Sequence, residues 1–282
     1  MRILTGLLTL IAVYVIAFAQ SSSAGPSSTD PSAHLSDFQA IEFRRYTIKE
    51  GERKHFADYF ESYFPEAMEQ TGAIAAGSFF ERKNKNGFTW IRGFHTIEAR
   101  AVENAAFYYG PVWREHRTTL NDLMTDSDNV LLLRPLAPER GLTILPAVDP
   151  VMEPDGAHGI VVALIFAVKP DRVEAFAKEA EPTFASYREA GAREAGVLVT
   201  LEVNNNFPQL PVRTDGPYLV WLGVLRDNQT LGKQFTRLAE SSMQSLTLTG
   251  LVRGAPEFVV LDPTPRSRLR WFPWRSRPET QD

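Results

Sequence analysis

Phe88–Pro135, FTWIRGFHTIEARAVENAAFYYGPVWREHRTTLNDLMTDSDNVLLLRP, decides the fold. In its first seven residues Phe88, Trp90, Arg92 and Phe94 alternate with Thr89, Ile91 and Gly93, which is the two-residue period of a strand. Thr96 then stands as a helix N-cap, with Glu98 in the first turn where a negative charge favours the helix start. Gly110 breaks that helix, and Pro111 restarts it at a first-turn position that needs no N–H. Val130–Arg134 closes the stretch with an apolar run suited to a buried strand. The order is strand, helix, helix, strand.

Upstream, Phe38–Ile48 alternates as a first strand. A helix follows in which Phe56, Tyr59, Phe60, Tyr63 and Phe64 fall at i, i+3, i+4, i+7 and i+8, one aromatic stripe facing a sheet. Gly72 ends the connection, Ala73–Arg82 is a second strand, and Lys83–Gly87 supplies a hairpin turn with an Asn-Gly step. The whole reads βαββαβ.

The second half of the chain repeats this order. Phe166–Lys169 with Phe176-Ala177 answers Tyr46–Lys49 with Phe56-Ala57 at a constant offset of 120. Gly191-Ala192 answers Gly72-Ala73, Trp221 answers Trp90, and Phe258–Pro263 answers Val130–Pro135. The fold class is therefore α+β, with two tandem ferredoxin-like units over residues 37–136 and 157–263. The Pro- and Gly-bearing stretch 137–156 reads as the linker between them. Such a unit leaves one sheet face bare, so two sheets closing face to face form an α+β barrel. Sequence alone leaves open an intrachain pseudo-dimer or a homodimer.

Residues 1–19 carry Arg2, the apolar run Ile3–Ile16 and the small-x-small step Ala17-Phe18-Ala19, which predicts a cleaved signal peptide. An uncleaved anchor is the competing reading. Export to a periplasm or to the exterior is the expectation for localisation. Residues 20–36, rich in Ser, Pro and Ala, read as a flexible linker. Residues 264–282 form a basic-aromatic tail, RSRLRWFPWRSRP at its centre, able to touch an anionic membrane surface weakly or to wrap back onto the domain. The net charge of −4 gives no footprint for nucleic acid. The absence of cysteine excludes thiolate chemistry, disulfides and cysteine-held metals.

Arg92-Gly93-Phe94, Ala106-Phe107-Tyr108, Gly110-Pro111-Val112-Trp113 with His116, Asp126–Val130 and Leu133-Arg134-Pro135 together resemble a NIPSNAP domain. Glu42–Gly51 is similar to the start of that domain. The resemblance covers residues 38–135 and fades in the second half. It implies the dimeric α+β barrel superfamily, which holds cofactor-free monooxygenases, haem-degrading oxygenases and plain binding proteins. Fold follows from this; reaction does not.

Candidate site residues come from the quoted stretch. His116 shares a helical face with Trp113 and Tyr109, and is either a general base or a core-edge histidine bonded to a backbone carbonyl. Arg92 stands on the face of Trp90; facing the barrel interior, it needs Glu81 or a ligand as its anion, and facing outward it is solvated. Trp90, Tyr108, Tyr109, Trp113 and His95 are the candidate ligand-binding set, with Trp221 and Tyr218 as further wall. Asp126 and Asp128 are read as turn chemistry, not calcium ligands. No metal and no cofactor are expected. The second half has no histidine after His158, and its helical region Leu231–Val252 lacks the Tyr, Trp and His of the first, so the first half should supply the polar groups of any pocket. Two functions follow: a barrel that binds a small hydrophobic molecule or assembles with a partner, or a cofactor-independent monooxygenase or isomerase for a quinol or phenol, with His116 as base and Arg92 holding the oxyanion.

Overall fold

A computed structural model describes residues 33–34 and 38–272. In chain order the elements are β1 (Ala33–His34), β2 (Ala40–Ile48), α1 (Arg53–Tyr63), α2 (Pro65–Glu69), β3 (Ile74–Glu81), β4 (Gly87–Phe94), α3 (Ile97–Tyr108), α4 (Pro111–Asp122) and β5 (Met124–Pro135). A 3-10 turn (Pro138–Arg140), β6 (Thr143–Ile144), β7 (Ile160–Ala167), α5 (Val173–Glu189), β8 (Arg193–Thr200) and β9 (Tyr218–Leu225) follow. The chain then runs through α6 (Asn228–Thr230), a kinked turn at Leu231–Phe235, α7 (Thr236–Leu248) and β10 (Glu257–Pro263).

Eight antiparallel strands close into one barrel in the order β10-β3-β4-β2-β5-β8-β9-β7, with β7 pairing back onto β10. Closure happens within one chain. Strand alternation divides the apolar side chains into three layers. Ile41, Phe43, Ile91, Leu131, Val161, Val220, Leu222 and Leu261 fill the barrel interior. The odd-numbered residues of β2 point there, so its even-numbered residues face the helices. Tyr46, Phe88, Trp90 and Phe94 pack outward against Phe56, Phe60, Phe64 and Phe107 of the first helix layer. Phe166, Trp221 and Val199 pack outward against Phe176, Phe184, Tyr187 and Met243 of the second. By the same alternation Arg45 points inward, where Glu81 (2.7 Å) and Glu257 (2.6 Å) bind it and tie the two halves at one end of the barrel.

Several sequence expectations are met in detail. Thr96 Oγ1 accepts from Ala99 N at 3.1 Å, and the α3–α4 break falls at Gly110-Pro111. Gly72 takes φ +107°, a left-handed conformation that glycine adopts without a Cβ clash. Others need correction. β5 begins at Met124, six residues before the apolar run, because register shifts after Arg45 and Thr47 let Thr47 pair with Asp126 and Ile48 with Met124. The Asp126 carboxylate accepts from Asp128 N at 2.9 Å, so the turn-like bond exists, inside an irregular strand.

Residues 137–156 are not a free linker. Leu142, Ile144 and Leu145 are buried, the first two within the barrel core, and β6 pairs with β1 inside the stretch expected to be flexible. The described part of the C-terminal tail also folds back. Leu269 N donates to Ala76 O at 2.9 Å, and Arg270 grips the buried Glu153 carboxylate through two bonds of 2.6 and 2.5 Å. Arg266 pairs with Glu66, and Arg268 with Glu69. The expected signal peptide, Met1–Ala19, and the tail residues Trp274, Arg275 and Arg277 lie outside the described residues. Among the described residues no helix is long and apolar enough to cross a membrane.

Candidate functional site

The site is built where the outward faces of β2 and β4 meet α3 and α4. Antiparallel pairing sets Glu42 opposite Arg92 and Arg44 opposite Trp90. From above, α3 lowers Arg100, Asn104 and Phe107 onto this surface, at the spacing of one buried helical face. The result is a carboxylate surrounded by three guanidiniums. Arg44 Nη1 donates to Glu42 Oε2 at 2.7 Å, Arg92 Nε to the same oxygen at 2.8 Å, and Arg100 Nε to Oε1 at 2.6 Å. Arg92 Nη2 lies 2.7 Å from Oε2 but off the line of a hydrogen bond. Glu42 and Arg100 are 0% exposed, Arg44 and Arg92 1%. Burial alone would raise the Glu42 carboxyl, but the charges of Arg92, Arg44 and Arg100 outweigh it and hold the group far below the usual carboxylate range.

Aromatic rings cover this cluster. Arg92 lies 5.0 Å from the Trp90 ring, 5.2 Å from Phe94 and 5.6 Å from Tyr108. Tyr46 accepts from Arg44 Nε at 2.8 Å, and burial pushes its hydroxyl pKa up although the arginine opposes this. Several buried polar atoms here have no partner: Arg100 Nη2, Trp90 Nε1, and both amide atoms of Asn104. Such atoms are uncommon in folded proteins and call for an explanation.

Two spaces adjoin the cluster. A narrow cavity of about 30 Å3, large enough for one water, is lined by Tyr46, Phe64, Met68, Trp90, Tyr108 and Trp113 among others. Outside it, a groove of about 580 Å3 runs between Tyr108, Tyr109, Trp113, Arg114, Arg117 and a loop of the second half. Tyr108 and Trp113 belong to both walls. They touch edge to face at 4.8 Å and form the partition.

The loop is residues 201–217, standing where the first half has only the turn 82–86. Asn205 and Asn206 accept from Arg100 Nη1 at 3.1 and 2.8 Å, and Asn206 Nδ2 donates to the Ile97 carbonyl. Phe207 stacks on Tyr108 at 5.9 Å, and Gln209 Nε2 donates to the Tyr109 hydroxyl at 3.2 Å.

Of the residues singled out in the sequence, Trp90, Arg92, Tyr108, Tyr109 and Trp113 come together here. Arg92 escapes both alternatives considered for it. It faces the helices, not the barrel interior, yet is buried, and its anion is Glu42 in place of Glu81, which Arg45 has taken. His116 lies elsewhere. Its Nδ1 is 2.8 Å from the Tyr59 hydroxyl and its ring stacks on Tyr63 at 3.8 Å, so it holds α4 to α1 and has no contact with Arg92. Its partner is a phenol, not the backbone carbonyl of the competing reading. His95 is exposed at the β4–α3 corner, stacked on Phe38 at 4.5 Å. Trp221 and Tyr218 form no wall: Trp221 is in the second helix-layer core, and Tyr218 is engaged with Arg213 and Asp215. Glu42, Arg44, Arg100, Asn104 and the 205–209 segment were missed. A charged pair on the face of β2 that otherwise carries Ala40, Tyr46 and Ile48, Glu42 and Arg44, was the available signal. Among the described residues no group of three His, Asp or Glu could hold a metal ion.

No family model and no curated protein matches the chain. Solved structures do. An anthrone oxidase-like protein is 13% identical with a TM-score of 0.54, covering 82% of this chain and 94% of its own. A putative monooxygenase from Lactobacillus acidophilus is 15% identical with a TM-score of 0.50, covering 80% and 94%. The chain is also similar, over a smaller span, to a NIPSNAP family protein of unknown function from Agrobacterium tumefaciens, 21% identical with a TM-score of 0.33, covering 35% and 89%. What the first two share with this chain is the α+β fold around an eight-stranded antiparallel barrel.

Proposed function

We propose that this protein binds a small, planar, hydrophobic molecule in the groove between α3, α4 and residues 207–210, with Tyr108 and Trp113 as the surface the ring lies against. One observation carries the reading: these two rings separate an open groove of about 580 Å3 from the small aromatic cavity lined by Tyr46, Phe64 and Trp90. That volume is in the ordinary range for small-molecule sites. In this reading the two halves are tandem ferredoxin-like units, the first supplying the site and the second the loop that walls it. Export directed by Met1–Ala19 belongs to the same proposal. Membrane contact through the tail rests on residues beyond those described. A homodimer is compatible with the fold but is not needed to close a barrel already complete in one chain.

The test is equilibrium dialysis of the full chain with neutral 2-naphthamide. Tyr108→Ala and Trp113→Ala are each expected to weaken binding by about tenfold, roughly 1.4 kcal/mol. His116→Ala, which removes a helix–helix contact outside the groove, is expected to leave binding unchanged. Equal affinity in all four proteins would place the ligand elsewhere.

A second reading has one observation in its favour. The guanidinium charge beside Tyr108 could stabilise an enolate or phenolate oxygen, and two solved structures of this fold are named as a putative monooxygenase and an anthrone oxidase-like protein. Arg92 would then hold the oxyanion, while His116, bound to Tyr59, makes a poor base for that position. Oxygen uptake with anthrone and a panel of quinols is the check. Uptake above background that is lost in Tyr108→Ala supports catalysis; background uptake throughout leaves binding alone.

A further inference from the structure

Charge is unbalanced beneath the groove. Among the described residues Glu42 is the one carboxylate within ion-pair distance of Arg44, Arg92 and Arg100, so three buried cations share one anion. Buried charge without a counter-charge is strongly unfavourable, and an anion brought in from outside would relieve it. The unpaired atoms point the same way. Arg100 Nη2 and both amide atoms of Asn104, one helical turn further along α3, are almost wholly buried and bond to nothing. The amide can donate beside a guanidinium that also donates, which is the set an oxyanion needs.

The acceptors that Arg100 Nη1 does have are neutral. Asn205 and Asn206 offer amide oxygens at 3.1 and 2.8 Å from a loop of the other half. They satisfy hydrogen bonds and leave the charge as it was. Asn206 is exposed and Asn205 half-buried, so these two side chains can turn away from Arg100 while Phe207 stays packed on Tyr108.

We propose that Arg100 and Asn104, backed by Arg92 and Arg44, form an oxyanion subsite continuous with the groove, and that the natural ligand is an aromatic carboxylate whose charged end displaces the Asn205 and Asn206 side chains. The fork of Arg100 suits a carboxylate, and the Tyr108 ring stands one helical turn beyond Asn104, where the aromatic part would lie. This rests on the groove reading above and adds to it the charge of the ligand and the part of the fold that reads it.

The experiment compares 2-naphthoate with 2-naphthamide, identical in shape and different in charge, by equilibrium dialysis at neutral pH. The carboxylate is expected to bind at least about tenfold more tightly. Asn104→Leu should erase most of that preference while circular dichroism reports an intact fold. Asn205→Ala with Asn206→Ala should tighten naphthoate about fivefold, because its competitor is gone, and leave naphthamide unaffected. Equal affinity for the two probes, with Tyr108→Ala still weakening both about tenfold, overturns the subsite and leaves the groove standing. Weaker naphthoate binding in the double variant overturns the displacement. If neither probe binds, the groove and the subsite fall together.

Discussion

Glu42→Gln is expected to lower the free energy of unfolding by about 3–5 kcal/mol, the cost of leaving buried charges without their counter-ion. Glutamine keeps the shape of the side chain and one acceptor oxygen, so little packing is lost. What disappears is the charge that Arg44, Arg92 and Arg100 converge on at 2.6–2.8 Å. These guanidiniums are almost fully buried, so water cannot take the place of the lost charge. Urea melts of both proteins measure the difference. The pH dependence gives a second, signed check. The carboxyl of Glu42 is held far below its ordinary value in the fold, so its contribution is fully present above the unfolded-state value near ~4.3 and is lost as pH falls below that. The gap between wild type and Glu42→Gln should therefore be constant at neutral pH and narrow progressively in acid. A gap that widened in acid would mean that the cluster is not held by an ionised Glu42.

Trp221→Ala is expected to cost about 3–5 kcal/mol as well, for an apolar reason. The indole is 0% exposed, packed against Tyr187 at 4.9 Å and Phe184 at 6.1 Å, and its Nε1 donates to Glu194 at 3.0 Å. Removing it leaves a cavity in a close-packed layer and takes one of its donors from Glu194, which keeps Arg140 and Arg188. The neighbouring glycine shows how tightly the ring is held. A Cβ built on Gly223 would sit 2.2 Å from the ring, so Gly223→Ala is also expected to destabilise the second half. Neither change touches the groove, and the folded fraction of Trp221→Ala should bind 2-naphthamide as wild type does. Loss of binding by folded Trp221→Ala would show that the site reaches the second helix layer.

The contrast between Trp221 and Trp90 explains what was legible in the sequence. Both tryptophans occupy matching strands and face helices; the order of the repeat was enough to pair them, and periodicity with that repeat placed β2, β3, β4 and β10 within two residues. Periodicity reports which face is buried. It does not report against what. Arg92 shows this: alternation put it with Trp90 and Phe94, but its anion came from the adjacent strand, across a register no local pattern specifies. His116 was drawn toward the site by sharing a helical face with Trp113, whereas packing of α4 on α1 turned it to Tyr59. The loop at 205–209 could not be assigned at all, because its meaning depends on closure of the barrel, which brings residues of the second half over α3. Its length relative to the turn at 82–86 was the visible hint.

The account rests on the groove between Tyr108, Trp113 and Phe207 being the ligand site, and a crystal structure of the full chain soaked with 2-naphthoate tests that most directly. The expected result is a naphthalene ring against Tyr108 and Trp113 with its carboxylate toward Asn104 and Arg100, and Asn205 and Asn206 moved away. A ring bound at any other position, with the groove empty and Asn205 and Asn206 still on Arg100, would contradict it.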